Sequence, residues 1–377
     1  MGSDGADAFA DKVENDKKSA VRFDPARGLV PLRVWAQDWL ERRVIGESTR
    51  RNYEGFIRNH LLPSLGRKML AGLARRDFEE FAKDVHASGT GLAVSTVNDR
   101  MVMVAAMLEA ALVDKRIPDN PARGVRMRIS RAVPLAVDED ENPAPGEVDL
   151  IAQHIAPRYR LTVYLQSGTG QRPSEALAFS SECRRSGFVR IRWQVSAKAH
   201  RADCRMAFVP CKNRVEGEYR DVPAAPFVDQ EIDAHLARWA PVPVAFTGQR
   251  GKRRRLEVLF GPRQCGKGTM PTAVTYGYHF KKACRLAGAD GTAKYTPRSL
   301  RHFFASIALA NGVPIHEVSR WLGHRSVKTT IDIYGHLVPR AWHRCREVLQ
   351  NAMRPVRLDM RAQPDKVACP GSCTQAA

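Results

Sequence analysis

Between Val137 and Gly146 the chain reads Val-Asp-Glu-Asp-Glu-Asn-Pro-Ala-Pro-Gly. A run this acidic has no apolar face to bury, and its prolines resist both helix and central strand. Apolar periodicity is present on either side of it. The chain must therefore fold as two units joined here, and at 377 residues each is long enough to bury a core. The pattern divides it into a polar leader (1–30, expected to be disordered), a helical domain (31–131), a flexible linker (132–149), a second domain (150–344) and a loose tail (345–377).

In the first domain, Val34, Trp35, Trp39 and Leu40 recur at helical spacing. Ser48 or Thr49 can cap a second helix through Tyr53, Phe56, Ile57 and His60, with Pro63 and Gly66 as its breakers. Phe78–His86 reads as a third helix. A fourth starts at Ser95 or Thr96 and carries Met101, Val104, Leu108 and Leu112 on one face, a methionine stripe of core type. In the second domain the expectation is a helix from about Val148 to Gln166, then another opened by Pro173 at its first position. Short strands follow over Phe188–Val195, Met206–Cys211 and Arg220–Val222. From about Thr272 the pattern is helical again, over Val274–Ala287, Ser299–Ala310, Pro314–Leu322 and Val327–Tyr334. The fold class is thus mostly α with a small antiparallel β-sheet: an α+β second domain behind an all-α first one.

The charge narrows what such a chain can bind. Lys and Arg number 60 against 40 Asp and Glu, a net +20. Ile151–Arg344 alone carries 32 basic and 13 acidic residues. An excess concentrated in one domain suits a polyanionic partner. No apolar run is long enough for a membrane helix, and the N-terminus lacks a signal-peptide core. Eight cysteines at irregular spacing make neither a disulfide framework nor a zinc site, which points to reduced thiols in a cytosol.

Three segments concentrate chemistry: Gly168-Thr-Gly-Gln-Arg172-Pro-Ser-Glu175-Ala-Leu177; Thr296-Pro-Arg298-Ser-Leu-Arg301-His302-Phe-Phe-Ala-Ser306; and Trp321-Leu-Gly-His324-Arg-Ser-Val-Lys-Thr-Thr330, continuing to Tyr334-Gly-His336. In order and spacing they resemble the tyrosine recombinases, the phage integrase family. That family carries an Arg in a Gly-Leu-Arg-x-x-Glu-like turn, a His-x-x-Arg-His box, a Leu-Gly-His box and then a Tyr. The resemblance covers roughly Val148–Arg344, and Leu32–Arg131 is similar in pattern to the family's helical, SAM-like core-binding domain.

The residue types suit phosphodiester chemistry. Negative charge grows on the nonbridging oxygens when a nucleophile adds to phosphorus, and guanidiniums bind such oxygens in a fork while staying charged. Arg172 and Arg301 supply two. Tyr334 is the candidate nucleophile; a free phenol, with a pKa of about 10, needs cationic neighbours and a proton acceptor to attack. The resemblance assigns His324 a hydrogen bond to the scissile phosphate. It makes Lys212 the candidate general acid, in Pro210-Cys-Lys212-Asn ahead of Arg220-Asp-Val-Pro223, with Lys198 as its competitor. Glu175 is read as a brace for the basic site.

One position departs from the family. Where His, or sometimes Lys, opens the second box, this chain has Arg298. A guanidinium cannot act as a base at neutral pH, so Arg298 is expected to bind phosphate. Proton removal from Tyr334 would then fall to His324 or solvent. Gly261-Pro-Arg-Gln-Cys-Gly-Lys267-Gly-Thr269 imitates a P-loop, but Gly268 stands where Ser or Thr is required. With Lys252-Arg-Arg-Arg255 it reads as a basic loop toward DNA.

The resemblance implies a two-domain, C-shaped clamp on double-stranded DNA attachment sites. Strands would be cut and rejoined through a 3′-phosphotyrosine, with neither ATP nor metal nor any other cofactor. A homotetramer in the synaptic complex is implied, with Trp342–Leu349 a candidate for docking on a neighbour, and possible further partners are an accessory DNA-bending protein or an excisionase. The leading role is phage or mobile-element integration in a bacterial cytoplasm, at the nucleoid. The alternatives are Xer-like resolution of chromosome dimers and a DNA-binding relative in which Arg298 has weakened catalysis.

Overall fold

The computed structural model describes residues 25–87, 91–128, 141–197, 206–262, 268–288, 295–337 and 342–352. It divides into two compact units, Met1–Val133 and Pro134–Ala377.

The first unit is helical, built from α1 (Leu32–Arg42), α2 (Glu47–Phe56), α3 (Leu62–Leu65), α4 (Arg75–Ala87) and α5 (Val94–Val113). Its core holds the aromatic residues of α1 and α4 with Met101, Val104, Met107 and Leu108 of α5, so the methionine stripe is core. Trp35 lies at its centre. Its indole N–H donates to Met107 O at 3.0 Å, and the guanidiniums of Arg42 and Arg116 each lie 5.0 Å from its ring. Gly46, not Ser48 or Thr49, occupies the cap of α2. Pro63 does not end the helical path as expected. A π-helical turn, Ile57–Leu61, leads directly into α3, and Pro63 lies in the first turn of α3. The wider turn gives room to a ring that would otherwise strike the carbonyl four residues back.

In the second unit α6 (Pro145–His154) begins inside the acidic stretch read as linker. Pro145 is tolerated at the first helical position, and the Glu147 carboxylate accepts the Ala144 N–H at 2.7 Å. The single helix expected over Val148–Gln166 is two, because Ile155 is extended ahead of Pro157 and α7 restarts at Arg160–Thr169. Pro173 does open a helix, α8 (Pro173–Ala176), though of a single turn.

Among the described residues the β-structure is three small antiparallel sheets. β1 (Arg184–Arg185), β2 (Phe188–Ile191) and β5 (Arg220–Pro223) form one; β3 (Trp193–Val195) and β4 (Phe208–Pro210) form the second. The expected strand Phe188–Val195 is therefore split at Arg192 between two sheets. Helix α9 (Pro226–Leu236) and the hairpin of β6 (Val242–Thr247) and β7 (Arg253–Val258) are not anticipated by the sequence reading. In β7 Arg253 and Arg255 occupy the exposed face while Leu256 and Val258 turn inward. The run read as a basic loop is thus in part a strand, and Arg263–Lys267 of the P-loop imitation lies outside the described residues.

Among the described residues five helices complete the unit: α10 (Ala273–Leu286), α11 (Ser299–Ala310), α12 (Ile315–Leu322), α13 (Val327–Tyr334) and α14 (Trp342–Ala352). Helix α11 packs on α7, and a separate small core joins Ala305 and Leu309 of α11 to Val318 and Leu322 of α12 and to Tyr334. Among the described residues no helix is long and apolar enough to cross a membrane.

Because Trp35 is 1% exposed and its indole donor is spoken for, Trp35→Ala is expected to destabilise the protein by about 3–5 kcal/mol. Chemical denaturation followed by circular dichroism would measure it.

Candidate active site

The site is organised around one buried carboxylate. Glu175 is 1% exposed. Its Oε2 accepts the Arg172 backbone N–H at 2.8 Å and Arg220 Nη2 at 2.5 Å; its Oε1 accepts Arg172 Nη1 at 2.9 Å and Arg220 Nη1 at 3.0 Å. Burial alone would raise its pKa. Arg220 first, then Arg172 and Arg301, more than offset that and hold it well below the usual carboxylate range.

Local sequence sets these directions. Helix α7 ends at Gly170, whose left-handed conformation (φ 62°) returns its N–H to Gln166 O. A side chain there would strike the Phe304 ring, with Cβ 2.6 Å from Cδ1. Arg172 precedes Pro173 and is held extended, φ −72° and ψ 153°, as a residue before proline must be. Its side chain, 24% exposed, reaches from the buried Glu175 toward solvent.

Arg301 is buried on α11. It donates to Gly170 O at 2.7 Å and Leu322 O at 2.6 Å, and its Nη2 lies 3.1 Å from His324 Nε2. Arg220 Nε donates to Trp321 O at 2.7 Å. Both guanidiniums thus take up carbonyls left unpaired at the C-terminus of α12, the negative end of that helix. Gly323 makes this possible: it closes α12 in the left-handed conformation, φ 65°, where a Cβ would sit 3.2 Å from Arg220. That is the physical content of the Leu-Gly-His box. Burial, then the neighbouring Arg172, push the Arg301 guanidinium down to about 9, still charged at neutral pH.

Helix α13 presents two hydroxyls on one face, Thr330 and Tyr334, one turn apart. Thr330 Oγ1 lies 2.8 Å from His324 Nδ1. Since Arg301 can only donate, His324 Nε2 accepts and Nδ1 carries the hydrogen. Tyr334 is buried, with Oη 2.6 Å from His302 Nδ1 and ring centroids 5.6 Å apart. Burial raises the phenol to about 12, and Arg301 and Arg172 act in the opposite sense. Burial, with Arg301 next, pushes His324 down to about 3; burial, Arg301 and Arg298 push His302 down to about 4. Both imidazoles are neutral at neutral pH.

Of the residues singled out from sequence, Arg172, Arg301, His324 and Tyr334 share this cluster. Arg298 is exposed at the cap of α11, and Lys212 is exposed on the turn after β4. Lys212 does follow Cys211, whose buried thiol, pushed up to about 12, lies in the field of Glu175, Arg220 and Arg172. Lys198 lies outside the described residues. The loop bearing Lys212 is tied to the β6–β7 hairpin by Glu216, which accepts Arg250 N–H at 3.1 Å and Arg254 Nε at 2.8 Å. Gly248 permits this approach, since a Cβ there would sit 2.6 Å from the Glu216 carboxylate.

Arg220 and His302 were not among the residues singled out, although both lie in quoted motifs. Arg220 is in phase with Val222 on the inward face of β5, and an inward Arg demands a buried partner. His302 directly follows Arg301 in the second box.

Residues 248–340 match the phage integrase family. An integrase of Streptomyces ambofaciens is 38% identical over 55 residues, 15% of this chain and 14% of that protein. The integrase of mycobacterium phage L5 is 25% identical over 219 residues, 56% of this chain and 54% of that one. Tyrosine recombinase XerD of Corynebacterium glutamicum is 25% identical over 325 residues, 81% of this chain and 94% of that one. In fold the chain is similar to the Tn1549 transposon integrase, solved with circular-intermediate DNA (TM-score 0.65, 17% identity, 84% of this chain and 98% of that one). It is also similar to lambda integrase, solved as a tetramer on a Holliday junction (TM-score 0.59, 15% identity, 86% and 88%). The fold is thus similar to that of the integrase catalytic domain with an all-helical unit ahead of it, and residues 248–340 carry the match to the phage integrase family.

Removing one partner from a buried ion pair leaves the other charge uncompensated. Glu175→Ala is therefore expected to cost about 3–5 kcal/mol. In the wild type the Glu175 contribution, coming from a depressed pKa, is fully present above the unfolded-state value of about 4.3 and is lost as pH falls below it. Urea titrations between neutral pH and pH 3 would show the wild-type and variant stabilities converging.

Proposed function

We propose that this chain is a site-specific DNA recombinase, a phage or mobile-element integrase, that breaks and rejoins DNA through a 3′-phosphotyrosine on Tyr334. The observation that carries this reading is the charge imbalance of the cluster. Arg172 and Arg220 bind one carboxylate, Glu175, while a third guanidinium, Arg301, is held nearby by backbone carbonyls, beside a buried tyrosine hydroxyl. A phosphodiester is the anion that such an arrangement lacks.

In this reading the scissile phosphate rests on Arg172 and Arg301, with Arg298 adding a contact from the exposed start of α11. Donors preplaced for charge that develops in the transition state contribute a few kcal/mol each. His324 holds a nonbridging oxygen once it parts from Arg301 and its hydrogen moves from Nδ1 to Nε2, which then donates to the phosphate while Thr330 Oγ1 donates to Nδ1. Tyr334 Oη attacks phosphorus and the bond to the 5′ oxygen breaks. Lys212, on its exposed turn, protonates the departing oxygen. Arg220 touches no substrate; with Glu175 it positions Arg172 and the end of α12. The partner is double-stranded DNA, and the active assembly is a homotetramer on two duplexes, served by accessory DNA-bending or excision proteins. The alignment over 94% of a XerD protein supports a second reading, Xer-like dimer resolution by the same chemistry; deletion that leaves chromosome dimers unresolved would favour it.

Tyr334→Phe should bind DNA and fold as wild type yet form no covalent adduct on a nicked suicide substrate. Wild-type adduct should map by mass spectrometry to a peptide containing Tyr334. Arg172→Ala and Arg301→Ala should lower adduct formation by about 100-fold or more. Adduct formation by Tyr334→Phe would remove the assignment.

The basic excess also predicts salt dependence. The logarithm of affinity should fall linearly with the logarithm of salt concentration, with a slope of about −0.9 per phosphate neutralised. Fluorescence anisotropy across a salt series would measure it, and a slope near zero would count against phosphate-dominated binding.

A further inference from the structure

We infer that His302 is the proton acceptor for Tyr334, the role that Arg298 cannot fill. This rests on the proposed nucleophilic role of Tyr334. The geometry is direct: Tyr334 Oη lies 2.6 Å from His302 Nδ1, inside the range required of a general base on the proton it removes. The other histidine of the site is committed elsewhere, its Nδ1 to Thr330 Oγ1 and its Nε2 to Arg301. Arg298 is a guanidinium, with no lone pair to offer. His302 alone among these groups sets an imidazole nitrogen against the phenol.

The step balances. With its hydrogen on Nε2, His302 accepts the phenolic proton at Nδ1 as the Oη–P bond forms. The P–O5′ bond breaks, and the 5′ oxygen takes a proton from Lys212. On rejoining, the 5′ hydroxyl attacks phosphorus, Lys212 recovers its proton, and the imidazolium of His302 returns one to the leaving phenolate.

The surroundings make this base conditional on DNA. His302 is faced by Arg298 and Arg301 from its own helix, by Tyr334 from α13, and by His324 from the turn before it. None of these groups is anionic in the free protein. An imidazolium is therefore unfavourable there, and the phenol, itself raised by burial, stays protonated. A phosphodiester on Arg298 and Arg301 supplies the missing negative charge and raises the basicity of His302. The nucleophile is thus silent until the phosphate it attacks is in place.

The test compares single-turnover cleavage by the full chain on two suicide substrates, one with the natural 5′ oxygen and one with sulfur at that bridging position. A thiolate leaves without a general acid, so Lys212→Ala should regain most of its rate on the sulfur substrate. His302→Asn, whose amide oxygen can still accept the tyrosine hydrogen bond but cannot take its proton, should be slower by about 100-fold or more on both. Replacing Tyr334 with a more acidic fluorotyrosine should narrow the gap between His302→Asn and the unsubstituted chain. DNA binding and thermal melting of His302→Asn establish that it is folded. Should it not fold, a solvent deuterium isotope effect on wild-type cleavage of the sulfur substrate takes its place, with a normal effect expected and none overturning the inference. A wild-type rate for folded His302→Asn overturns it, and so does recovery of His302→Asn on the sulfur substrate. Adduct formation by Tyr334→Phe is a different failure, that of the nucleophile itself.

Discussion

The second unit depends on one buried anion. Glu175 gathers Arg172 from its own turn and Arg220 from β5, and Arg220 in turn fastens the end of α12 through Trp321 O. Without that carboxylate two guanidiniums would face each other in a desolvated space, which no packing of apolar neighbours can offset. With it, a one-turn helix, a strand and the end of a distant helix are brought to one point. Arg301 adds a fourth element, α11, through Gly170 O and Leu322 O. The site is therefore braced by hydrogen bonds to backbone, and its precision is that of the fold itself.

The same arrangement explains how a phenol can sit silent in a cationic site. Burial raises Tyr334, and the cations that would lower it are partly engaged with Glu175 and with carbonyls. Excess positive charge remains at the face where Arg172 is partly exposed. A bound phosphate would convert that unfavourable excess into transition-state stabilisation, the sense in which such sites are complementary to the reacting rather than the resting state.

Two glycines show how small residues carry this architecture. Gly323 reverses α12 so that its last carbonyls turn to Arg220 and Arg301. Gly248 lets Glu216 approach the β6–β7 hairpin and so holds the loop on which Lys212 rides. In both cases the constraint is a close approach, to a guanidinium or a carboxylate, that a side chain would obstruct.

Much of this was legible in the linear chain. The acidic, proline-rich run announced two units; periodicity located the helices of the first and the last helices of the second; the order of the three boxes named Arg172, Arg301, His324 and Tyr334. These signals are local, because a helix repeats its own pattern and a motif keeps its own spacing. What sequence could not supply was pairing between distant positions. The hairpin was masked by Arg253 and Arg255 on its exposed face, and the early start of α6 by Glu147, an acidic residue that caps it from within its own first turn; the split of Phe188–Val195 between two sheets depended on β4 and β5, further along the chain. The two residues passed over also depended on distant partners. Arg220 reads as an ordinary strand arginine until Glu175 is placed against it, and His302 as an incidental neighbour of Arg301 until α13 brings Tyr334 Oη to its ring. Spacing states which groups are present. Only the packing of α11 against α13 decides which nitrogen meets the hydroxyl, because hydrogen bonds act over about 3 Å and that separation is set by the tertiary fold.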